Sequence, residues 1–260
     1  IGLTAHSERV LEMESGITLE RAVELMLQYV KLSVIQCPLT NSLGRIVSQN
    51  IYSAIEQPPF DRSPLDGYEL RSEDTIGASK TSPVHLEVTE IIYAGATPQH
   101  ALKRGQAARI MTGAPVPKGA DCILRQEDTD CGFTQVKIYS QLNSSSNIVY
   151  RGEDFKAGDL LFKKGTKLEA GSLAVAALAG ITNLPVYSLP SVRIISTGDE
   201  LCCPGVPLKN GQIYDSNSVY ITSRLKQLGI PVLSTEIVGD KISKLKESLS
   251  QKCDLTITTG

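Results

Sequence analysis

The sequence predicts a multidomain protein in which a β-rich domain precedes a parallel α/β domain. Its 260 residues are enough for two or three modest domains, each with a hydrophobic core. Between residues 84 and 140, short β-type runs alternate with Gly and Pro turns, which is typical of a small barrel or sandwich. From Val192 onward, strand-like and helix-like segments alternate, which indicates a parallel sheet with right-handed crossovers.

The first half of the chain begins with a predicted helix at 18–31, where apolar residues recur at helical spacing and Thr18 can cap the start. A short β-type segment, 41–54, leads into a proline-rich loop. The β-rich region that follows is predicted to contain four strands: 84–93, 107–111, 122–125 and 135–139. The segment 158–165 then has the pattern of a β-hairpin.

The second half is predicted to contain a helix at 173–179, ended by Gly180, and then the alternating region. Its predicted strands are 192–196, 232–238 and 254–258, and its predicted helices are 218–228 and 242–252. Ligands of such sheets bind outside the carboxyl ends of the strands. We therefore expect three polar loops to converge on one edge: Thr197-Gly198-Asp199-Glu200, Gly239-Asp240 and Thr259-Gly260.

A stiff polar loop covers residues 58–68, with the sequence PPFDRSPLDGY. Its three prolines fix φ at their own positions and exclude a regular helix or a central strand. The loop therefore presents Asp61, Arg62 and Asp66 on a rigid backbone. Asp, Ser, Pro and Gly are also common in ordinary turns, so the loop by itself leaves both interpretations open.

Composition excludes several classes of protein. The net charge is −2 and basic residues form no long run, which argues against nucleic-acid binding. No apolar stretch approaches the thickness of a bilayer, and no secretory signal pattern is present. The six cysteines form no Cys-x-x-Cys pair and only three histidines accompany them, so we expect no structural zinc and a cytoplasmic protein with reduced thiols.

The proline-rich loop and four downstream clusters, taken in order, resemble the molybdopterin molybdenumtransferases, that is, the MoeA proteins and the gephyrin E domain. The likeness runs from about Leu19 to the last residue. The four clusters are Arg109-Ile-Met-Thr112-Gly113-Ala-Pro115-Val-Pro117, Arg151-Gly152-Glu153-Asp154, Ser196-Thr197-Gly198-Asp199-Glu200-Leu201, and Gly239-Asp240.

The resemblance implies a particular division into domains. It places an N-terminal helical segment (1–33) against the α/β domain, an elongated mixed α+β domain (34–52 with 159–189), a β-rich barrel-like domain (53–158), and an incomplete three-layer, MogA-like α/β domain (190–260). In the family, a glycine-rich Gly-Val-Ser-x-Gly loop, an aspartate and a further small domain come next. We expect this chain to be truncated before them and to be poorly active or inactive alone.

The implied activity is the insertion of molybdate into adenylylated molybdopterin, with Mg²⁺-dependent release of AMP, which yields molybdenum cofactor. The family also implies a homodimer with its active site at the subunit interface, and molybdopterin adenylyltransferase as the upstream partner. Two alternatives remain open: a non-catalytic, gephyrin-like scaffold that binds a partner peptide, and a nucleotide-binding domain of other chemistry. The chain has no Walker-type or Gly-x-Gly-x-x-Gly loop. Whether tungstate replaces molybdate stays open.

The resemblance also assigns site residues. The implied catalytic residues are Asp66, Thr112, Asp154, Glu200 and Asp240, and Glu200 with Asp240 would hold Mg²⁺ through hard carboxylate oxygens. The implied cofactor-binding residues are Arg62, Gly113, Arg151, Thr197, Gly198, Ser216 and Asn217. Local roles remain possible for each group: loop hydrogen bonds for the aspartates, salt bridges for the arginines, and helix capping for Ser216 and Asn217. For Asp199, capping of the turn after the strand and a role as a ligand beside Glu200 and Asp240 are equally possible.

Overall fold

The computed structural model describes residues 16–260. The first 15 residues of the predicted N-terminal segment lie outside this range. The described residues divide into two compact units: one is formed by 16–35 with Tyr187–Gly260, and the other is Gln36–Val186. No helix among residues 16–260 has the length and apolarity needed to cross a membrane.

The described residues form four α-helices and fourteen strands. The helices are α1 (Leu19–Leu27), α2 (Ala170–Leu178), α3 (Asn217–Gln227) and α4 (Ile242–Ser250). The strands are β1 (Val34–Pro38), β2 (Ile51–Tyr52), β3 (Gly67–Leu70), β4 (Val84–Ile92), β5 (Gln106–Ile110), β6 (Cys122–Arg125), β7 (Gln135–Ile138), β8 (Leu160–Phe162), β9 (Asn183–Tyr187), β10 (Val192–Thr197), β11 (Leu201–Cys202), β12 (Ile213–Tyr214), β13 (Val232–Val238) and β14 (Leu255–Thr259).

Helix α1 starts as predicted and ends earlier. Thr18 Oγ1 accepts a hydrogen bond from Arg21 N at 3.3 Å, which confirms the cap. The α-helix ends at Leu27 instead of residue 31, because the amides of Tyr29 and Val30 bond three residues back, which tightens the last turn. None of the residues of α1 is buried.

A five-stranded mixed sheet forms the centre of the Gln36–Val186 unit, with strand order β6-β3-β5-β4-β7. It curls into a half-barrel, which agrees with the predicted barrel-like domain. Each face carries an apolar cluster. Along β3, Tyr68 and Leu70 belong to one cluster, whereas Glu69 pairs across the strands with Ala108 and Ile123 of the other. The sheet therefore buries a carboxyl group among apolar side chains.

The remainder of this unit has its own apolar cluster, which includes Ile51, Phe162 and Leu184. The predicted hairpin at 158–165 is wrong. Strand β8 instead pairs antiparallel with the distant β2, because Phe162 is buried in the same cluster as Ile51. Helix α2 begins before the predicted 173, since Glu169 and Ser172 form a reciprocal capping box.

The other unit contains a three-stranded parallel sheet of order β13-β10-β14, which confirms the predicted parallel arrangement. Helix α3 covers one side through Leu225, which packs with Val192 and Ile194 of β10. Buried Arg193 donates to Ser248 O at 2.6 Å and to Glu236 Oε1 at 2.7 Å. This pairing satisfies a cation that would be very costly to bury alone.

Candidate active site

Asp66 and Thr112 are in direct contact, although 46 residues separate them. Asp66 precedes β3 and Thr112 lies in the turn after β5, and these strands are antiparallel neighbours. Asp66 Oδ1 accepts hydrogen bonds from Thr112 N at 2.7 Å and from Thr112 Oγ1 at 2.8 Å. These two bonds hold the pKa of Asp66 below its ordinary value, with the charge of Arg109 as a smaller cause. Asp66 is therefore an ionised, oriented carboxylate.

The turn that carries Thr112 is fastened to the proline-rich loop. Gly113 N donates to Ser63 O at 2.8 Å, Ser63 N donates to Ala114 O at 3.0 Å, and Val116 N donates to Asp61 O at 2.9 Å. Gly113 adopts a φ of +83°, which glycine accepts without the steric penalty of a side chain. Two of the motifs singled out in the sequence thus form one backbone-bonded cluster.

The third motif, Arg151 to Asp154, joins the same cluster. Asp154 N donates to Gln57 O at 2.9 Å, and Arg151 N donates to Asp61 Oδ1 at 2.8 Å. The Arg151 side chain forms an ion pair with Glu56, which partly neutralises its charge.

Arg62 exchanges two backbone hydrogen bonds with Val149, at 2.9 and 3.1 Å. Its side-chain Nε is buried and has no partner among the described residues. The Nε of Arg62 is therefore unpaired, whereas the Nε of Arg151 bonds to Glu56. The roles of both as phosphate contacts stay predictions.

At the parallel sheet, the predicted polar loops do meet at one edge. Thr197 and Val238, the last residues of β10 and β13, are register partners, and Thr197 Oγ1 donates to Thr259 O at 3.1 Å. Asp199 Oδ1 accepts from Asp240 N at 3.2 Å. The carboxylates of Glu200 and Asp240 are exposed at this edge.

Gly198 adopts a φ of +149°, a backbone conformation that residues with a side chain rarely adopt. A Cβ at Gly198 would also contact the Glu200 carboxylate, but that carboxylate ends an exposed side chain and can move aside. Asp199 bonds to the neighbouring loop, which favours a bracing role for it over a ligand role.

Ser216 and Asn217 lie at the start of α3, as predicted, but capping by Ser216 is wrong. The Ser216 side chain makes no cap bond. Asp215 Oδ1 instead accepts from Ser218 N at 3.0 Å. Burial by itself raises the pKa of Asp215, but hydrogen bonds, including those of Ser218, lower it below the ordinary value. An aspartate directly before the Ser-Asn pair was the signal available in the sequence.

Asp215 also ties α3 to the loop that carries Glu200. Its amide donates to Cys202 O at 2.9 Å, and Ile213 N donates to Glu200 O at 2.8 Å, so β11 and β12 run side by side. Asp215 is only 4% exposed. It therefore holds both the helix start and the backbone next to Glu200.

Asp215→Ala is expected to destabilise this unit by about 1–2 kcal/mol, because it removes the acceptor of an otherwise unpaired helix amide. Denaturant unfolding, with hydrogen exchange of the first turn of α3, measures the change. Ser216→Ala is the matched control and is expected to be nearly neutral. A larger loss of stability in Ser216→Ala than in Asp215→Ala would contradict the assignment of the cap.

The carboxylates at the sheet edge suit a cation that is also bound by substrate better than a metal ion held by the protein alone. Among residues 16–260, no three His, Cys, Asp or Glu side chains are grouped closely enough to hold a metal ion. Mg²⁺ is commonly held by only one or two carboxylates, together with substrate phosphates and water. Glu200 and Asp240 supply oxygens of the type that Mg²⁺ prefers.

The parallel-sheet domain belongs to a molybdopterin-binding class of domains. Residues 193–260, which contain the sheet, match the family described as "Probable molybdopterin binding domain". The preceding residues, 17–180, match the family described as "MoeA N-terminal region (domain I and II)". The chain therefore belongs to the MoeA family, as the resemblance predicted.

Curated relatives agree. The chain is 39% identical over 229 residues to Molybdopterin molybdenumtransferase 2 of Mycobacterium tuberculosis, a match that covers 87% of this chain and 56% of the relative. It is 35% identical over 260 residues to Molybdopterin molybdenumtransferase of Bacillus subtilis, covering 96% of this chain and 60% of the relative. The chain thus spans somewhat more than half the length of these relatives.

Solved structures give the same result. The crystal structure of the molybdopterin biosynthesis MoeA protein from Pyrococcus horikoshii OT3 superposes with a TM-score of 0.84 at 30% identity, covering 93% of this chain and 65% of that one. A second crystal structure of the MoeA protein from this organism has a TM-score of 0.80 at 35% identity, covering 93% and 63%.

Proposed function

We propose that this protein acts in molybdenum cofactor biosynthesis as a molybdopterin molybdenumtransferase, which inserts molybdate into adenylylated molybdopterin and releases AMP. The observation that carries this proposal is the presence of acidic residues at the expected site positions on both compact units. Asp66 is fixed by two bonds from Thr112, and Glu200 and Asp240 stand at the carboxyl ends of β10 and β13. The names of the curated relatives support the same activity.

Each group has a task that its chemistry allows. Mg²⁺, when bound by Glu200 and Asp240, would offset the repulsion between two anionic substrates and polarise the phosphate bond that breaks. Asp66 is ionised and oriented, so it can position water near the reacting groups. Asp154 is exposed, on a loop that bonds to Asp61 through Arg151, and can assist in the same way.

The proposal includes a cytoplasmic homodimer with the site at the subunit interface, supplied with substrate by molybdopterin adenylyltransferase. The six cysteines are free thiols, which suits a reducing compartment. The homodimer and the upstream partner are proposed on the basis of the family resemblance.

The direct test is release of AMP from adenylylated molybdopterin with molybdate and Mg²⁺. We expect turnover from an extended version that spans the full length of the curated relatives. Glu200→Ala should reduce turnover of the extended version by at least about 100-fold, because one carboxylate ligand of the cation is lost.

Glu127→Ala, another exposed glutamate, serves as the control and should turn over normally. Normal AMP release by Glu200→Ala, with an unchanged melting temperature, would refute the assignment of Glu200. No release by the extended version under any condition would refute the proposed function. Parallel assays with tungstate decide which oxyanion is preferred.

A further inference from the structure

Arg109 is held between two aromatic rings on the same sheet as Asp66. Its guanidinium carbon lies 4.5 Å from the centre of the Phe133 ring and 6.0 Å from the centre of the Tyr68 ring. Arg109 Nη2 donates to Gln126 Oε1 at 3.2 Å. All three partners are neutral, so they set the orientation of the guanidinium without cancelling its charge.

Arg109 forms no ion pair in the part of the chain that the structure describes, although its charge reaches the Asp66 carboxylate. Arg125 and Arg151 pair with Asp128 and Glu56, whereas no carboxylate oxygen lies within the 4.0 Å of an ion pair from Arg109. Its Nε is also buried without an acceptor. Orphaned buried donors are rare in folded proteins and call for an explanation.

Phe133 strengthens the case for a ligand. Phe133 is 68% exposed, so it gains little from burial, and the face of its ring lies against the guanidinium of Arg109. An aromatic ring over a guanidinium keeps the planar donor fork in one orientation. That fork matches two oxygens of a phosphate or similar oxyanion at once.

The amide and hydroxyl donors of Thr112 are already used and are not available to bind an anion in this structure. Both its amide and its hydroxyl donate to Asp66 Oδ1. An anionic substrate that approaches the Asp66 carboxylate would be repelled unless a nearby cation offsets the charge. Arg109 is the cation whose charge reaches Asp66.

We propose that Arg109, oriented by Phe133 and Gln126, binds a phosphate or comparable oxyanion of the substrate beside Asp66 and Thr112. The identity of that substrate rests on the proposed function. The anion-binding capacity itself is a property of this sheet and can be measured without turnover.

The test is a calorimetric titration of the present chain with inorganic pyrophosphate, in the presence of EDTA so that divalent ions make no contribution. Arg109→Met is expected to weaken pyrophosphate binding by at least about tenfold, since a charge-assisted bond is lost. Phe133→Ala should weaken it by about threefold, because the ring only orients the donor. The exposed position of Phe133 keeps this variant folded. Arg125→Met is the control and should bind as the wild type does.

Wild-type affinity in Arg109→Met, or no pyrophosphate binding by the wild type, would overturn the proposal. Equal losses in Arg109→Met and Arg125→Met would also overturn it, since they would indicate a general charge effect. The AMP-release assay separates the two proposals. One outcome is that the extended protein releases no AMP while Arg109→Met still binds pyrophosphate more weakly than the wild type. In that case the proposed function fails and the anion subsite stands.

Discussion

Asp66→Asn is expected to reduce turnover of the extended protein by at least about 100-fold, because the carboxylate that positions water at the reacting groups is replaced by a neutral amide. The change is nearly isosteric. The asparagine Oδ1 can still accept from Thr112 N and Thr112 Oγ1, so the turn remains bonded while the negative charge disappears. Release of AMP under saturating substrate measures the turnover, and a thermal melt measures stability, which we expect to shift by no more than about 2 °C.

The matched control is Asp130→Asn. Asp130 lies in the same unit and also accepts a backbone amide, from Lys137 N at 2.9 Å, so it reproduces the loss of charge without affecting the Asp66 position. It should turn over as the wild type does. If Asp66→Asn is equally active while its melting temperature is unchanged, Asp66 has only a structural role in fastening the turn of Thr112.

Much of the parallel sheet was predictable because its signals are local. Strand β13 has the predicted bounds, 232–238, and α3 and α4 begin within one residue of the predicted starts. Residues 192–196 of β10 are buried, β13 carries apolar residues at both ends, and the helices between carry apolar residues at helical spacing. The convergence of the loops after β10 and β13 followed from strand direction alone.

The features that sequence reasoning missed depend on long-range packing. The partner of β8 is more than 100 positions away along the chain, and hydrophobic pattern cannot choose between a neighbouring strand and a distant one. Arg109 and Phe133 are stacked although the segment between them contains a whole strand, β6. Strand β3 (Gly67–Leu70) was not predicted, and the expectation that 58–68 excludes a central strand is wrong at its end, because β3 lies between β6 and β5. Its buried Glu69 gave no sign of a strand interior, since glutamate is almost never fully buried.

Glu69→Gln is expected to remove a strong pH dependence of the stability of the Gln36–Val186 unit. Glu69 is fully buried in β3, and neither carboxyl oxygen has a partner among the described residues. Burial, with the nearby charge of Glu90 as a smaller cause, raises the pKa of Glu69 from 4.5 to about 9. The folded protein therefore keeps Glu69 protonated at neutral pH, whereas the unfolded chain ionises it.

The sign of the effect follows from the proton count. Below pH 4.5 both the folded and the unfolded states hold the Glu69 proton, so ionisation of Glu69 does not change the free energy of unfolding. Between pH 4.5 and about 9 only the folded state holds it, so the free energy of unfolding falls by up to about 1.4 kcal/mol for each pH unit. Glutamine has no proton to lose, so the variant should be the less pH-sensitive protein and should exceed the wild type in stability at pH 8.

Hydrogen exchange of the β3, β5 and β6 amides at pH 5 to 8, corrected for intrinsic exchange, reports this unit alone, and denaturant unfolding at the same pH values gives the free energy. Glu127→Gln, at an exposed position, controls for the loss of one glutamate and should keep the wild-type slope. Glu90 accepts the amides of Gln99 and His100 at 3.1 and 3.0 Å, so it has partners for its charge and Glu69 does not. Equal pH slopes in the wild type and in Glu69→Gln would mean that Glu69 reaches solvent or a counter-charge in the folded protein.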